Sequence, residues 1–220
     1  MPDVNPTVVH PVTVVTSPGQ CGASFVLACL RELGRFLGNV TDEDPGSKSS
    51  FDNKEVLQLN AEIRGMFSDR DHFPTDPKEV EYLVKTFAVR MADAIKGLSV
   101  VKGSLFCFTL PIWIAAGLVR RVLVLQRKDP GEVVTASRQF DGLATSVKGL
   151  HRVYGQAMWM LAASPVPMHL IVYPECATVP KETLRLVAFL VSETGRPPED
   201  CGAAIAKVFD KAKVHFHDFA

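Results

Sequence analysis

The sequence carries no excess of charge of either sign. Lysine and arginine together number 24, as do aspartate and glutamate, so the formal net charge is zero. That balance argues against a broad electrostatic grip on nucleic acid. Cysteine is sparse and unpatterned. Its five residues, Cys21, Cys29, Cys107, Cys176 and Cys201, are odd in number and widely spread, with no CxxC pair and no Cys/His ligand spacing. A disulfide scaffold and a zinc site are therefore not expected, and free thiols in a reducing cytoplasm are. Asp3 stands near the N-terminus and no basic segment precedes an apolar one, so no signal peptide is expected. Long apolar runs are also missing. The uncharged stretch from Gly103 to Val119 is broken by Pro111 and is short for a membrane span, so it reads as buried core. There is no internal repeat, low-complexity tract or linker. What remains is 220 residues that are 47% hydrophobic, enough for one domain over residues 1–220 with a sizeable core. The expectation is a cytoplasmic protein with no nucleic-acid, membrane or metal partner.

The stretch from Val12 to Arg35 organises the chain. A run of valine and threonine from Thr7 to Thr16 predicts a strand covered on both faces, with Pro11 placing its true start near Val12. It ends in Ser17-Pro18-Gly19-Gln20-Cys21-Gly22-Ala23-Ser24 and passes at once into a helix whose apolar face is Phe25, Val26, Cys29, Leu30, Leu33 and Leu37. A polar loop follows from Gly38 to Ser50. Asp52 and Glu55 then read as a helix start ahead of Val56, Leu59, Ile63 and Met66. After a loop at Ser68–Asp76, Pro77 opens a third helix that Gly97 closes.

Ser99 to Val101 reads as a short strand feeding Lys102-Gly103-Ser104. Leu105 to Val119 reads as mostly helical and Arg121 to Gln126 as a central strand. A helix starts at Pro130 and another covers Val147 to Ala163. Met168 to Tyr173 is the last strand, and helices over Pro180–Glu193 and Glu199–Lys211 precede a short tail. Strands alternate with helices, and every crossover is long enough to be helical. This predicts an α/β fold, a three-layer α/β/α domain with a mostly parallel sheet. In such sheets ligands bind beyond the carboxyl ends of the strands. Three strand-end turns carry chemistry: Ser17–Ser24, Lys102–Ser104 and Arg127–Pro130.

Strand, glycine-bearing turn and helix is how a parallel α/β domain presents backbone N–H groups to an anion. Against the nucleoside-triphosphate loop G-x-x-x-x-G-K-[ST], the chain keeps Gly22 and Ser24 but has Ser17 for the first glycine and Ala23 for the lysine. That lysine reaches the β- and γ-phosphates, so its loss disfavours a P-loop kinase and leaves a simpler phosphate, or a turn with no ligand. Lys102 reads either as a cation for a transferring group or as a solvated lysine. Arg127 and Lys128 read either as a grip on a 3′-phosphate, the reading favoured because a helix start follows at once, or as a charged strand-end turn. Asp52, Glu55, His72 and His10 are candidate bases, with surface exposure as the competing reading. Trp113 and Trp159 read as core.

Taken together and in order, these segments resemble the bacterial-type sulfotransferases, which use 3′-phosphoadenosine-5′-phosphosulfate (PAPS) on a P-loop NTPase-like fold. Gln20–Ser24 is similar to the family's basic residue followed by S-G-T-S. Phe51–Asn60 is similar to its W-E-D-x-x-x-x-x-L-N segment, and Lys102–Trp113 to K-D-P-R-L-C-L-T-L-P-L-W. Lys128–Val133 with Asp141-Gly142 is similar to R-D-P-x-E-V and its trailing D/N-G. Ile171–Glu175 with Leu184–Leu190 is similar to the V-x-Y-E-D-L ending and its L-R-x-L-x-x-F-L helix. The resemblance implies sulfuryl transfer from PAPS to a hydroxyl or amine of a small molecule or glycan, with no metal. It implies Lys102 and Gln20 as catalytic residues. It implies Gly19, Gln20, Cys21, Gly22, Ala23 and Ser24 for the 5′-phosphosulfate, and Arg127, Lys128, Thr135 and Ser137 for the 3′-phosphate. The departures are chemical. Gln20 replaces a cation that would meet charge developing on the leaving oxygen. Gly103 and Leu105 replace an aspartate and an arginine. Lys128 keeps a charge but loses bidentate geometry. Ala136 replaces a serine, with Thr135 and Ser137 beside it. A catalytically impaired nucleotide-binding or interaction module on the same scaffold is the alternative these departures imply.

Overall fold

The computed structural model describes residues 9–17, 21–41, 51–67, 73–129, 131, 133, 155 and 164–216, and for 210–216 the backbone alone. Pro18, Gly19, Gln20, His72, Pro130, Thr135, Ser137, Trp159 and, apart from Gly155, the helix expected over Val147–Ala163 lie outside the described residues. So does most of the loop expected over Gly38–Ser50.

The described chain runs β1 (Val12–Thr16), α1 (Ala23–Glu32), α2 (Lys54–Gly65), α3 (Pro77–Ala94), β2 (Val100–Lys102), α4 (Phe106–Ala115), β3 (Val119–Gln126), β4 (Met168–Val172), α5 (Glu175–Thr178), α6 (Pro180–Thr194) and α7 (Pro198–Phe216). The four strands form one all-parallel sheet in the order β2-β1-β3-β4. Helices cover both faces, so the three-layer α/β/α expectation holds. All five β1 residues are buried, as a central strand with no solvent face requires.

Strand alternation sends successive side chains to opposite faces. Val15, Val100, Leu123, Leu125 and Ile171 join Phe25, Val26 and Leu30 of α1, Leu186 and Leu190 of α6, and Ile205 of α7 in one core. Val12, Val14, Val101, Val122 and Val124 join Ile63 of α2, Phe87 and Met91 of α3, and Leu110 and Trp113 of α4 in the other. β1 therefore leads into a helix on one face, while its neighbour β2 leads into a helix on the opposite face. Beyond the paired carboxyl ends of β1 and β2 the chain continues to opposite faces, the kind of switch point at which parallel sheets take ligands.

Element limits differ from expectation where local chemistry decides. Asp52 does not start α2. The cap is Asn53, whose Oδ1 accepts from Val56 N at 3.1 Å. Asp76 caps α3 by accepting from Lys78 N at 2.9 Å, with Pro77 in its first turn. α4 is shorter than expected because Gly117, at φ +71°, turns the chain into β3. α5 was not expected, and α7 runs on to Phe216 through part of the expected tail.

Near the opposite edge of the sheet, Glu193 of α6 is 1% exposed. It accepts from Thr13 Oγ1 of β1 at 2.9 Å, and from Arg120 Nη2 at 2.5 Å and Arg121 Nη1 at 3.0 Å of β3. One buried carboxylate thus ties the end of α6 to two strands.

Candidate functional site

The carboxyl ends of β1 and β2 are locked together. Val15 pairs with Lys102, and Gly103 N donates to Val15 O at 3.3 Å. Thr16 Oγ1 donates to Gly103 O at 2.9 Å and lies 3.5 Å from Cys107 Sγ. β2 also touches α1. α1 itself starts at Gly22, with no side-chain cap and no acidic residue in its first turn. Its N-terminal N–H groups keep their pull on an anion.

Lys102 is the strongest feature at this edge. Its solvated reading is wrong: the side chain is 10% exposed and its Nζ lies 3.0 Å from Asp52 Oδ1, itself on a side chain 10% exposed. The surface reading of Asp52 fails with it. The separation is that of a close ion pair, with Oδ1 buried against the ammonium. Burial pushes the Asp52 carboxyl above its ordinary range, against the pull of Lys102. Burial likewise pushes the Lys102 ammonium below its ordinary range, against the pull of Asp52. Desolvation thus outweighs mutual attraction for both partners, and their proton affinities are drawn towards each other.

The chain before α2 is built to hold Asp52 there. Phe51 takes φ +61°, a left-handed conformation costly for an aromatic residue, while its side chain is 2% exposed in the α1-side core. Thr41 N donates to Asp52 O at 2.9 Å, and Val40 bridges Asn53. A strained residue on one side and a helix cap on the other fix the carboxyl between them.

On the opposite face, Asn60 of α2 is fully buried. Its Oδ1 accepts from Thr109 Oγ1 at 2.7 Å and Trp113 Nε1 at 2.8 Å. Its Nδ2 has no hydrogen-bond partner and faces Gly103, 3.8 Å from where a Cβ would stand. Trp113 is core, as expected, and it also spends its N–H on this contact.

β3 and β4 complete the edge. Tyr173 N donates to Gln126 O at 2.8 Å, and the guanidinium of Arg127 sits 5.5 Å from the Tyr173 ring centre. The Tyr173 ring packs on Phe25 and on Gly22, where a Cβ would meet its Cγ at 2.3 Å. Gly22, at φ +84°, is therefore required twice, by the turn and by the ring. Burial pushes the Tyr173 hydroxyl up to about 12. Lys128 is exposed, and Asp129 Oδ1 accepts from Gly131 N at 2.7 Å.

Of the residues singled out in the sequence, Gly22 and Arg127 meet through Tyr173, and Lys102 lies on the strand paired with β1. Ala23 is buried and Ser24 half-buried in the first turn of α1; Cys21, just before it, is buried. Glu55 and His10 are exposed. The sequence reading missed the Lys102–Asp52 pair, Asn60 and the cover of Tyr173 over Gly22. The one signal for the pair was a lysine standing between a valine strand and an apolar helix. Among the described residues no cluster of His, Cys, Asp or Glu is placed to hold a metal, and no helix is long and apolar enough to cross a membrane. Comparison with protein families and with curated proteins finds no match to this chain.

Proposed function

We propose that the chain is a sulfotransferase-like protein that takes PAPS at the carboxyl edge of its sheet and passes the sulfuryl group to a hydroxyl or amine of a small molecule or glycan. The observation that carries this reading is a charged pair, Lys102 and Asp52, buried at the switch point where β1 and β2 end. A buried ion pair is a poor source of stability, so its position there argues for chemistry. The residues present suit such a donor. α1 offers an uncapped N-terminus, Lys102 a cation on the strand beside it, and Arg127 and Lys128 two more at the end of β3. Lys102 neutralises charge at the transferring group, and the edge supplies positioning, as transfers of this kind demand. PAPS would supply the activated sulfuryl group.

Incubation of the protein with PAPS and a panel of phenols, alcohols and amines tests the reading. Release of adenosine 3′,5′-bisphosphate that depends on an acceptor, and that Lys102→Met abolishes, is the expected result. A second reading, a nucleotide-binding module without turnover, is favoured by Tyr173. Its ring lies against Gly22, where the turn's backbone would otherwise face a ligand. Under that reading bisphosphate binds but no acceptor releases it from PAPS.

A further inference from the structure

We propose that Lys102 and Asp52 form a proton-coupled anion site, in which an oxyanion held by Lys102 Nζ draws a proton onto Asp52. The inference deepens the proposed function, and rests on that reading for the identity of the anion. The two side chains are 3.0 Å apart and each is 10% exposed, so water contributes little screening. Asp52 Oδ1 is buried, with Lys102 Nζ as the charge set against it. Lys102 from β2 is the titratable group that acts on Asp52 among the described residues. Lys54 and Glu55, which follow it on α2, are exposed, and the Asn53 side chain is engaged in the cap.

The physical argument is a balance of charge. In the free protein Lys102 offsets the carboxylate. A sulfate or phosphate group at Nζ takes up that positive charge and sets a second negative charge near Asp52. Two like charges in a dry site raise the proton affinity of the one that can titrate. Burial already favours a proton on Asp52, so the anion adds to a bias the fold has built in.

The consequence for transfer follows. With no acceptor the proton comes from solvent. With an acceptor bound it comes from the acceptor. The acceptor oxygen bonds to sulfur, the bond from sulfur to the 5′-phosphate oxygen breaks, and its electron pair leaves on adenosine 3′,5′-bisphosphate. The acceptor's proton ends on the Asp52 carboxylate. Donor binding thus strengthens the base that the second substrate needs.

Titration calorimetry of adenosine 3′,5′-bisphosphate and, separately, of inorganic sulfate tests this, in buffers of differing ionisation heat scanned from about pH 5 to about pH 8. The expected result is an uptake of at most about one proton per anion, largest at the pH where free Asp52 is ionised and anion-bound Asp52 is not. Asp52→Glu keeps the uptake. Asp52→Asn/Lys102→Met, which leaves no buried charge unpaired, loses it. Anion binding without proton uptake at any pH overturns the proposal, as does uptake that survives in the double variant. Uptake with sulfate but no binding of the bisphosphate supports the proton-coupled site and overturns the nucleotide reading. Binding of neither overturns both.

Discussion

Asp52 and Lys102 set opposite pH trends, and their signs can be worked out separately. Asp52 has its folded value raised, so the native state holds that proton to higher pH than the unfolded chain does. Its contribution to stability falls as pH rises from the ordinary carboxylate value through the raised one. Lys102 has its folded value lowered, so the unfolded chain holds that proton to higher pH. Its contribution rises as pH climbs from the lowered value towards the ordinary one. Removing one partner leaves the other charge buried, at a cost of about 3–5 kcal/mol. Urea midpoints will show Asp52→Asn gaining stability as pH is raised, and Lys102→Met losing it. The double variant will recover most of the loss. A second test at this scale is Gly22→Ala. Its Cβ would stand 2.3 Å from Tyr173 Cγ at a φ of +84°, so the ring must move. A loss above about 2 kcal/mol, with a changed tyrosine fluorescence, is expected.

At the scale of elements, α2 and α4 are joined through one amide. Asn60→Ala strands the buried Trp113 N–H, at about 1–3 kcal/mol, while the Thr109 hydroxyl keeps the Leu105 carbonyl at 3.2 Å. Urea denaturation and indole fluorescence will report it. The element pattern was legible in the sequence because burial obeys period. β1 is a continuous valine-threonine run, and Phe25, Val26, Cys29 and Leu30 recur at helical spacing on α1. What was not legible depends on contacts distant in sequence. Asp52 and Glu55 read as a helix start because local capping rules cannot see Lys102, fifty residues on along the chain. The packing of Tyr173 on Gly22 was not legible because nothing near Gly22 in the sequence announces the ring. α5 is a single turn, too short for any periodic signal.

Across the whole molecule all five thiols are buried: Cys21, Cys29, Cys176 and Cys201 in the core on the α1 side, and Cys107 beside Phe108 in a small separate cluster. Desolvation pushes Cys107 and Cys176 up to about 12. Ellman's reagent will label no cysteine rapidly in the native protein and all five after denaturation, because buried thiols are inert. The two cores, one on each face of the sheet, explain why the site lies where it does. α1 and α4 pack on opposite faces, and the chain leaves the strands that feed them towards opposite faces at the carboxyl edge. The sequence reading expects chemistry at that edge from Gln20–Ser24, Lys102 and Lys128. The structure adds Asp52 as the partner of Lys102. The most direct measurement is calorimetric titration of adenosine 3′,5′-bisphosphate onto the wild-type chain and onto Lys102→Met. Binding tighter than about 1 mM, weakened at least about tenfold by the substitution, is the expected result. No heat at millimolar nucleotide, or equal affinity in the two proteins, would contradict a nucleotide site built around Lys102.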